Sequence, residues 1–504
     1  MADQVLKRED TFPRWCHCAR MSRRQLLGLI AAQGTTALLT ACHSTAMTPS
    51  KPVSSSGLNS QAMTAAPAAT VTLGMPATIT QHGSKVTVVY WDAFGGERGK
   101  LVQEIVQRFH AAQSDVEVVY QFQGSYDDTG QKLLQAIAAK QTPDLVLLAD
   151  NWWFRFYLND VLQPLSSFFA QAGIDLQDYV GPLLNEGTRH GEVYWVPFAR
   201  STPIFYYNKT AWQEAGLPDR GPETWEEFAQ WAPKLVQQRG GNVSRSAFAM
   251  PTGAGNTPGN LTSLISWLFQ PIVWQWGGRY SDEALGIHIQ EAPAIAAGQS
   301  FLLRPLSEGW AIPSGDIDAA FLNGGTAAVM QTTANLANYE RNAPFPVGTA
   351  KLPKGPAGFG CCTGGSGLAI LKGKPVEVQQ AAFRYIAFAT SPEITAFWSQ
   401  NTGYMPVRRS AVEGTLMTQF YQQRPNFRTA VEQLPQARQC DPAREWIPNG
   451  FDIIGRGLER VLTQREDPVS VFPALGQQLT EAASSIIAQL KQREGDTVQR
   501  IRIL

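Results

Sequence analysis

The chain has 504 residues, too many for one ordinary hydrophobic core, so two globular lobes with accessory segments are expected. Lys plus Arg and Asp plus Glu both number 42, which leaves no net field to gather nucleic acid or an acidic membrane surface and argues against such partners. Cys16, Cys18, Cys42, Cys361, Cys362 and Cys440 offer no pair of CxxC motifs, and Cys16-His17-Cys18 sets three donors on adjacent residues that cannot easily wrap one ion; no metal and no cofactor are expected.

The amino end reads as an address. Arg23-Arg24 stands directly before an apolar run, Leu26 to Ala41, that is too short for an ordinary membrane-spanning helix but has the layout of a bacterial secretion signal. The arginine pair resembles a twin-arginine export signal with Leu in place of the usual Phe, so that route and the general secretory route both stay open, as do Met1 and Met21 as starts. Leu39-Thr40-Ala41-Cys42 resembles a lipobox, which implies cleavage before Cys42 and lipid attachment to it. Residues 1–41 are therefore expected to be a leader, and 42–84, rich in Ser, Thr, Ala and Pro, a flexible tether from that anchor.

In the body, Val86 to Trp91 is a β-branched run, followed by Leu101, Val102, Ile105, Val106 and Phe109 at helical spacing. Val116 to Phe122, a helix around Leu133 to Ala139, and Leu145 to Ala149 complete a βαβαβ order, which predicts a parallel sheet in an α/β fold. Ligands of open α/β sheets lie beyond the carboxyl ends of the strands, so the loops after Trp91, Phe122 and Ala149 are expected to face a site; they hold Asp92 to Glu97, Tyr126 and Asp150. Further helices are expected at Thr224 to Gln238, Asn260 to Trp276, Ala292 to Leu306, Val376 to Thr390 and Pro473 to Gln492. The aromatic run Trp152 to Tyr157 has two readings, a stacking surface at a cleft lip or packing inside a lobe.

The stretches Gly124-Ser125-Tyr126, Pro197 to Pro203, Tyr206-Tyr207-Asn208-Lys209, Glu223 to Glu227, Gly364-Gly365-Ser366-Gly367, Phe397 to Pro406, and Arg444 stand in one order. On these the chain from Val86 onward resembles family 1 extracellular solute-binding proteins of ABC importers, and within them the glycerol-3-phosphate-binding group. The resemblance implies a two-lobe periplasmic-binding-protein fold, type II-like, hinge-joined and with a discontinuous chain path. It assigns 85–202 with 326–360 to the first lobe and 203–325 with 361–504 to the second. Carried over residue by residue, it puts Tyr126, Asp150, Ser201, Thr333, Asn335, Gly365, Tyr404 and Arg444 around the ligand. It also implies a protein that hands a glycerol phosphate ester, or alternatively a sugar or glycoside, to a permease in the cytoplasmic membrane; with the amino-terminal address, the expectation is an exported monomer on the periplasmic or cell-surface side, anchored to the membrane through Cys42.

The chemistry of that set suits an oxyanion: hydroxyls from Ser201 and Tyr404, backbone N–H groups in the Gly364 to Gly367 stretch, and the Arg444 guanidinium. Each residue also has a plainer reading. The glycines can form a turn before Leu368 to Ile370, Tyr404 can be a core aromatic, and Arg444 a surface ion pair. A disulfide among Cys361, Cys362 and Cys440 is a further possibility in an oxidising compartment. The chain carries no GxSxG, HExxH or Walker A element, and Glu226 and Glu227 point about 100° apart on a helix. A binding protein is expected rather than an enzyme, with an exported hydrolase as the alternative of a different class.

Overall fold

The computed structural model describes residues 85–252 and 261–495. The leader, Cys42 and the tether lie outside the described residues.

The βαβαβ order forms as expected: β1 (Val86–Asp92), α1 (Gly96–Ala112), β2 (Val116–Phe122), α2 (Tyr126–Ala138) and β3 (Leu145–Ala149), with β1 pairing in parallel with both β2 and β3. Alternate residues Val86, Val88 and Tyr90 of β1 are buried, and α1 covers them with Val102, Ile105, Val106 and Phe109, the period-2 and period-3.6 patterns meeting in one core. Leu145 to Ala149 is buried throughout, as a central strand must be.

This sheet is completed by Gly364–Ile370, antiparallel to β3, and by Val196–Ser201 beyond it. A second sheet runs in the order Ala311–Ser314, Asn242–Pro251, Thr326–Thr332, Pro203–Asn208, Val347–Ala350. The chain passes from one sheet to the other at Ser201-Thr202-Pro203, where the Thr333 N–H donates to Thr202 O at 3.1 Å. That pairing redraws the expected division. Thr326–Thr332 hydrogen-bonds to Pro203–Asn208 and Asn242–Pro251 in the second sheet, not the first, whereas Gly364–Ile370 belongs to the first sheet, not the second. Helix Val376–Ala389 packs there too, Tyr385 lying 5.5 Å from Tyr90 and Arg384 pairing with Asp115. Hydrophobic period says that a strand is buried but not which sheet buries it.

The expected helices appear within a few residues of their limits, with Thr224 capping Trp225–Leu235 through the Glu227 N–H. The stretch read as a helix from Ala292 to Leu306 is instead broken by a six-residue π-helical segment, Gly298–Leu303. The last helix, Pro468–Glu494, ends against the first lobe, where Glu494 binds Arg189 and the Tyr157 hydroxyl. Trp152, Trp153, Phe154, Phe156 and Tyr157 are all buried, so the aromatic run packs the lobe rather than presenting a stacking face.

Candidate functional site

Tyr126 is the first residue of α2, and its position is set by a capping box in which Ser125 and Asp128 exchange hydrogen bonds with each other's backbone N–H. Asp150 opens the next helix, α3 (Asp150–Leu158), at the carboxyl end of β3. Ser201 ends its strand, and Gly365 is the second residue of Gly364–Ile370. Tyr404 follows Gly403, whose φ of +108° terminates helix Pro392–Thr402. Arg444 lies in the short helix Pro442–Glu445.

These six residues line one cavity of about 270 Å³ between the two sheets. Thr333 and Asn335 do not. Their neighbours Thr332 and Ala334 line it instead, because Thr333 turns inward, 1 % exposed, and Asn335 turns to the other side, accepting from Arg98. The wall also holds residues that the sequence did not point to, among them Arg98, Asp127, Asn151, Ser263 and Trp267. Arg98 stands one residue past the Asp92 to Glu97 loop and Asp127 one past Tyr126; Ser263 and Trp267 share a helix, Leu261–Gln275, whose apolar character hides them.

Arg444 is buried and poorly matched by the protein. Its Nη2 reaches Ser263 O and Oγ only at 3.4 Å, while Nε and Nη1 have no hydrogen-bond partner. Asp150 Oδ1 is 3.6 Å from Nη1, and Asp150 Oδ2 accepts the Gly365 N–H at 3.1 Å. Burial works against the guanidinium charge, but the Asp150 carboxylate beside it offsets that cost and Arg444 stays protonated. Burial, with Cys440, Asp150 and Glu186 beside it, pushes the Glu445 carboxyl far above the usual range. The plainer reading of Arg444 as a surface ion pair is excluded by its 3 % exposure.

Gly365 is required by geometry. Its φ is +114°, and a Cβ there would lie 2.1 Å from Ala199 O. The glycines form the start of the strand itself rather than a turn before it, with a register shift between Ser366 and Gly367. Tyr126 donates to Ser366 Oγ at 3.1 Å, and its hydroxyl lies 3.2 Å from that of Tyr404, which stacks on Trp398 at 5.7 Å. Tyr404 is thus both packed and, through its hydroxyl, at the cavity wall.

Cys361, Cys362 and Cys440 are free, buried thiols. Their segments are joined by backbone pairing of Cys361–Cys362 with Ala437–Arg438 rather than by a disulfide. A second cavity of about 280 Å³, lined by Trp225, Phe228, Phe248 and Phe301 among others, lies in the second lobe and contains none of the expected residues.

Residues 104–429 match the family described as bacterial extracellular solute-binding protein. The chain is 38% identical to UgpB from Mycobacterium tuberculosis, whose crystal structure is a complex with glycerophosphocholine; the match covers 80% of this chain and 100% of that one, with a TM-score of 0.73. It is 28% identical over 364 residues to the sn-glycerol-3-phosphate-binding periplasmic protein UgpB of Escherichia coli K12, covering 69% of this chain and 80% of the relative. A cyclic alpha-maltosyl-1,6-maltose binding protein from Arthrobacter globiformis shares the fold at 21% identity and a TM-score of 0.66, over 80% of this chain and 99% of that one.

Proposed function

Because the chain belongs to the bacterial extracellular solute-binding protein family, we propose that it captures a glycerophosphodiester, or glycerol-3-phosphate, in the interlobe chamber and delivers it to the permease of an ABC importer. The carrying observation is the buried Arg444 guanidinium with two nitrogens that make no hydrogen bond, at the wall of a chamber that also offers Ser201 and the Tyr126 and Tyr404 hydroxyls. A buried guanidinium with unfilled N–H donors is costly, and a phosphate oxygen would fill them.

The charged residues of the wall are two arginines, Arg98 and Arg444, and two aspartates, Asp127 and Asp150. Such a wall is formally neutral, with Asp150 set against Arg444, which favours a zwitterion over a dianion. A choline phosphodiester, with one phosphate charge and one quaternary ammonium that aromatic faces and carboxylates can hold, meets that requirement better than glycerol-3-phosphate. One relative was crystallised with glycerophosphocholine and another is named for sn-glycerol-3-phosphate, so both ligands belong in the test.

Calorimetric titration with glycerophosphocholine, glycerol-3-phosphate, maltose and trehalose tests the proposal. Heat with the phosphodiester, lost by about a hundredfold in affinity in Arg444→Ala, is the expected result. Heat with the sugars alone would replace the phosphate reading by the glycoside one. We further propose that the protein works as a monomer tethered through a lipidated Cys42; mass spectrometry of the membrane-extracted protein, with and without Cys42→Ser, reads the anchor.

A further inference from the structure

We propose that Arg98 is the end wall of the ligand chamber and the latch between the lobes, and that it sets an upper limit on ligand length. Arg98 lines the chamber of about 270 Å³ on one side and, on the other, a polar cavity of about 540 Å³ walled by Glu97, Lys100, Glu104, Asn338, Arg341 and Asn401 among others. Arg98 and Ala334 are the residues shared by both walls, and of the two Arg98 contributes the long, charged side chain where the spaces meet.

That side chain is held from both lobes. On the first-lobe side, Arg98 lies in the first turn of α1, whose start is pinned by the Tyr120 hydroxyl bonding to Phe94 O, and a Cβ on the adjacent Gly99 would lie 2.6 Å from the same oxygen. The helix start thus has no room to shift. Across the cleft, Arg98 Nη2 donates to Ala334 O at 3.0 Å and to Asn335 Oδ1 at 2.8 Å, both just past the Thr326–Thr332 strand of the second sheet. The receiving side is braced in turn. Asn335 Nδ2 donates to Asp318 Oδ2 at 3.0 Å, and Asp318 Oδ1 accepts from Gln331 at 2.9 Å and from the Tyr339 hydroxyl at 2.5 Å.

The bridge differs from an ion pair in a way that matters for ligand recognition. Both acceptors are neutral, and among the described residues no carboxylate lies within ion-pair range of Arg98. A guanidinium has five N–H donors, and this bridge uses Nη2 alone, so Arg98 keeps its charge and its Nε and Nη1 donors for the end of a bound ligand. The guanidinium also sits 5.7 Å from the Tyr404 ring, which fixes its height in the wall. A ligand that fits ends at Arg98 and is closed in by it; a longer one must displace both hydrogen bonds.

This inference takes the chamber of the proposed function as the ligand site but not the phosphodiester as its occupant. Arg98→Ala and Asn335→Ala are compared with the unaltered protein by calorimetry against glycerophosphocholine and a ladder from maltose to maltohexaose, and by hydrogen exchange of peptides covering 95–102 and 331–342. In Arg98→Ala the affinity ratio of longest to shortest ligand is expected to rise at least tenfold, with Asn335→Ala moving the same way by less. Amide exchange in both peptides should quicken at least threefold without ligand, while the β1 to β3 peptides hold. A uniform loss of affinity with an unchanged length ratio would make Arg98 an ordinary contact and overturn the proposal. Unchanged exchange in both peptides would overturn it as well, including where no probe binds, an outcome that separately defeats the phosphodiester reading.

Discussion

Asp150 stands between Arg444 and Gly365, 3.6 Å from the guanidinium through one oxygen and accepting the glycine N–H at 3.1 Å through the other. The carboxylate therefore both orients the cation and lowers the net positive charge that a ligand meets. Asp150→Asn keeps an acceptor for Gly365 but removes the negative charge. Affinity for glycerol-3-phosphate should rise relative to glycerophosphocholine by about tenfold, the effect of one unit charge a few ångströms away in a partly screened site. Competition calorimetry with the two ligands measures the ratio; an equal fall for both would mean that Asp150 acts only by shaping the backbone.

Gly365 carries a conformational demand rather than a chemical one. With φ at +114° and Ala199 O 2.1 Å from a prospective Cβ, Gly365→Ala must push the Gly364–Ile370 strand away from Val196–Ser201. The expected loss is about 3 kcal/mol of stability, comparable to other large steric and backbone-strain substitutions. Urea denaturation measures it, and a change below about 1 kcal/mol would show that the strand register can relax.

The elements that build this site were legible in different degrees. Tyr126 and Asp150 follow from the rule that open α/β sheets bind at strand ends, since each opens a helix there. Ser201, Gly365, Tyr404 and Arg444 came only from resemblance, because nothing in local spacing brings residues from four distant segments to one wall. Thr333 and Asn335 failed by one residue each. Both lie in a 3-10 turn, Thr333–Asn335, that follows the strand, where each successive residue points about 120° away from the last, so a one-residue offset in alignment changes the side it faces. The exchange of Thr326–Thr332 and Gly364–Ile370 between sheets was invisible for the same kind of reason: both read as buried strands.

Asp92, at the end of β1, gives the protein a pH signature of its own. It is fully buried, and burial pushes its carboxyl up to about 7 against the lowering effect of the Tyr90 hydroxyl and the Phe94 N–H. A carboxyl raised in the folded state holds its proton after the unfolded chain has released it. The contribution of this group is therefore most favourable below the unfolded value of 3.8 and is lost as pH rises from there through about 7, by up to about 4 kcal/mol. Asp92→Asn, which still accepts from Phe94, should flatten that decline. Urea midpoints between about pH 4 and pH 8 compare the two proteins, and parallel curves would remove Asp92 as the cause.

Beneath the chamber, Arg200 and Glu186 form an ion pair with both side chains essentially sealed from solvent, their side-chain exposures being 0% and 2%. Arg200 immediately precedes the cleft residue Ser201, and Thr363, which immediately precedes Gly364, donates to the same Glu186 carboxylate. The pair thus links the two strands that carry Ser201 and Gly365. Arg200 also lies 4.8 Å from the Trp195 ring, while its Nε and Nη1 have no hydrogen-bond partner, so the charge is held by one carboxylate and one aromatic face. Removing one member strands the other in a low-dielectric interior. Arg200→Met or Glu186→Gln alone should cost about 3–5 kcal/mol, whereas Arg200→Met with Glu186→Leu should recover most of that loss, since burying an ion pair is itself costly. A double-mutant cycle on denaturation free energies gives the coupling directly, and additive losses would show that the two groups act independently. If the pair serves to align the strands, the double variant regains stability but not affinity for glycerophosphocholine, because Met and Leu refill the volume without the Thr363 hydrogen bond that fixes Gly364 and Gly365 opposite Ser201.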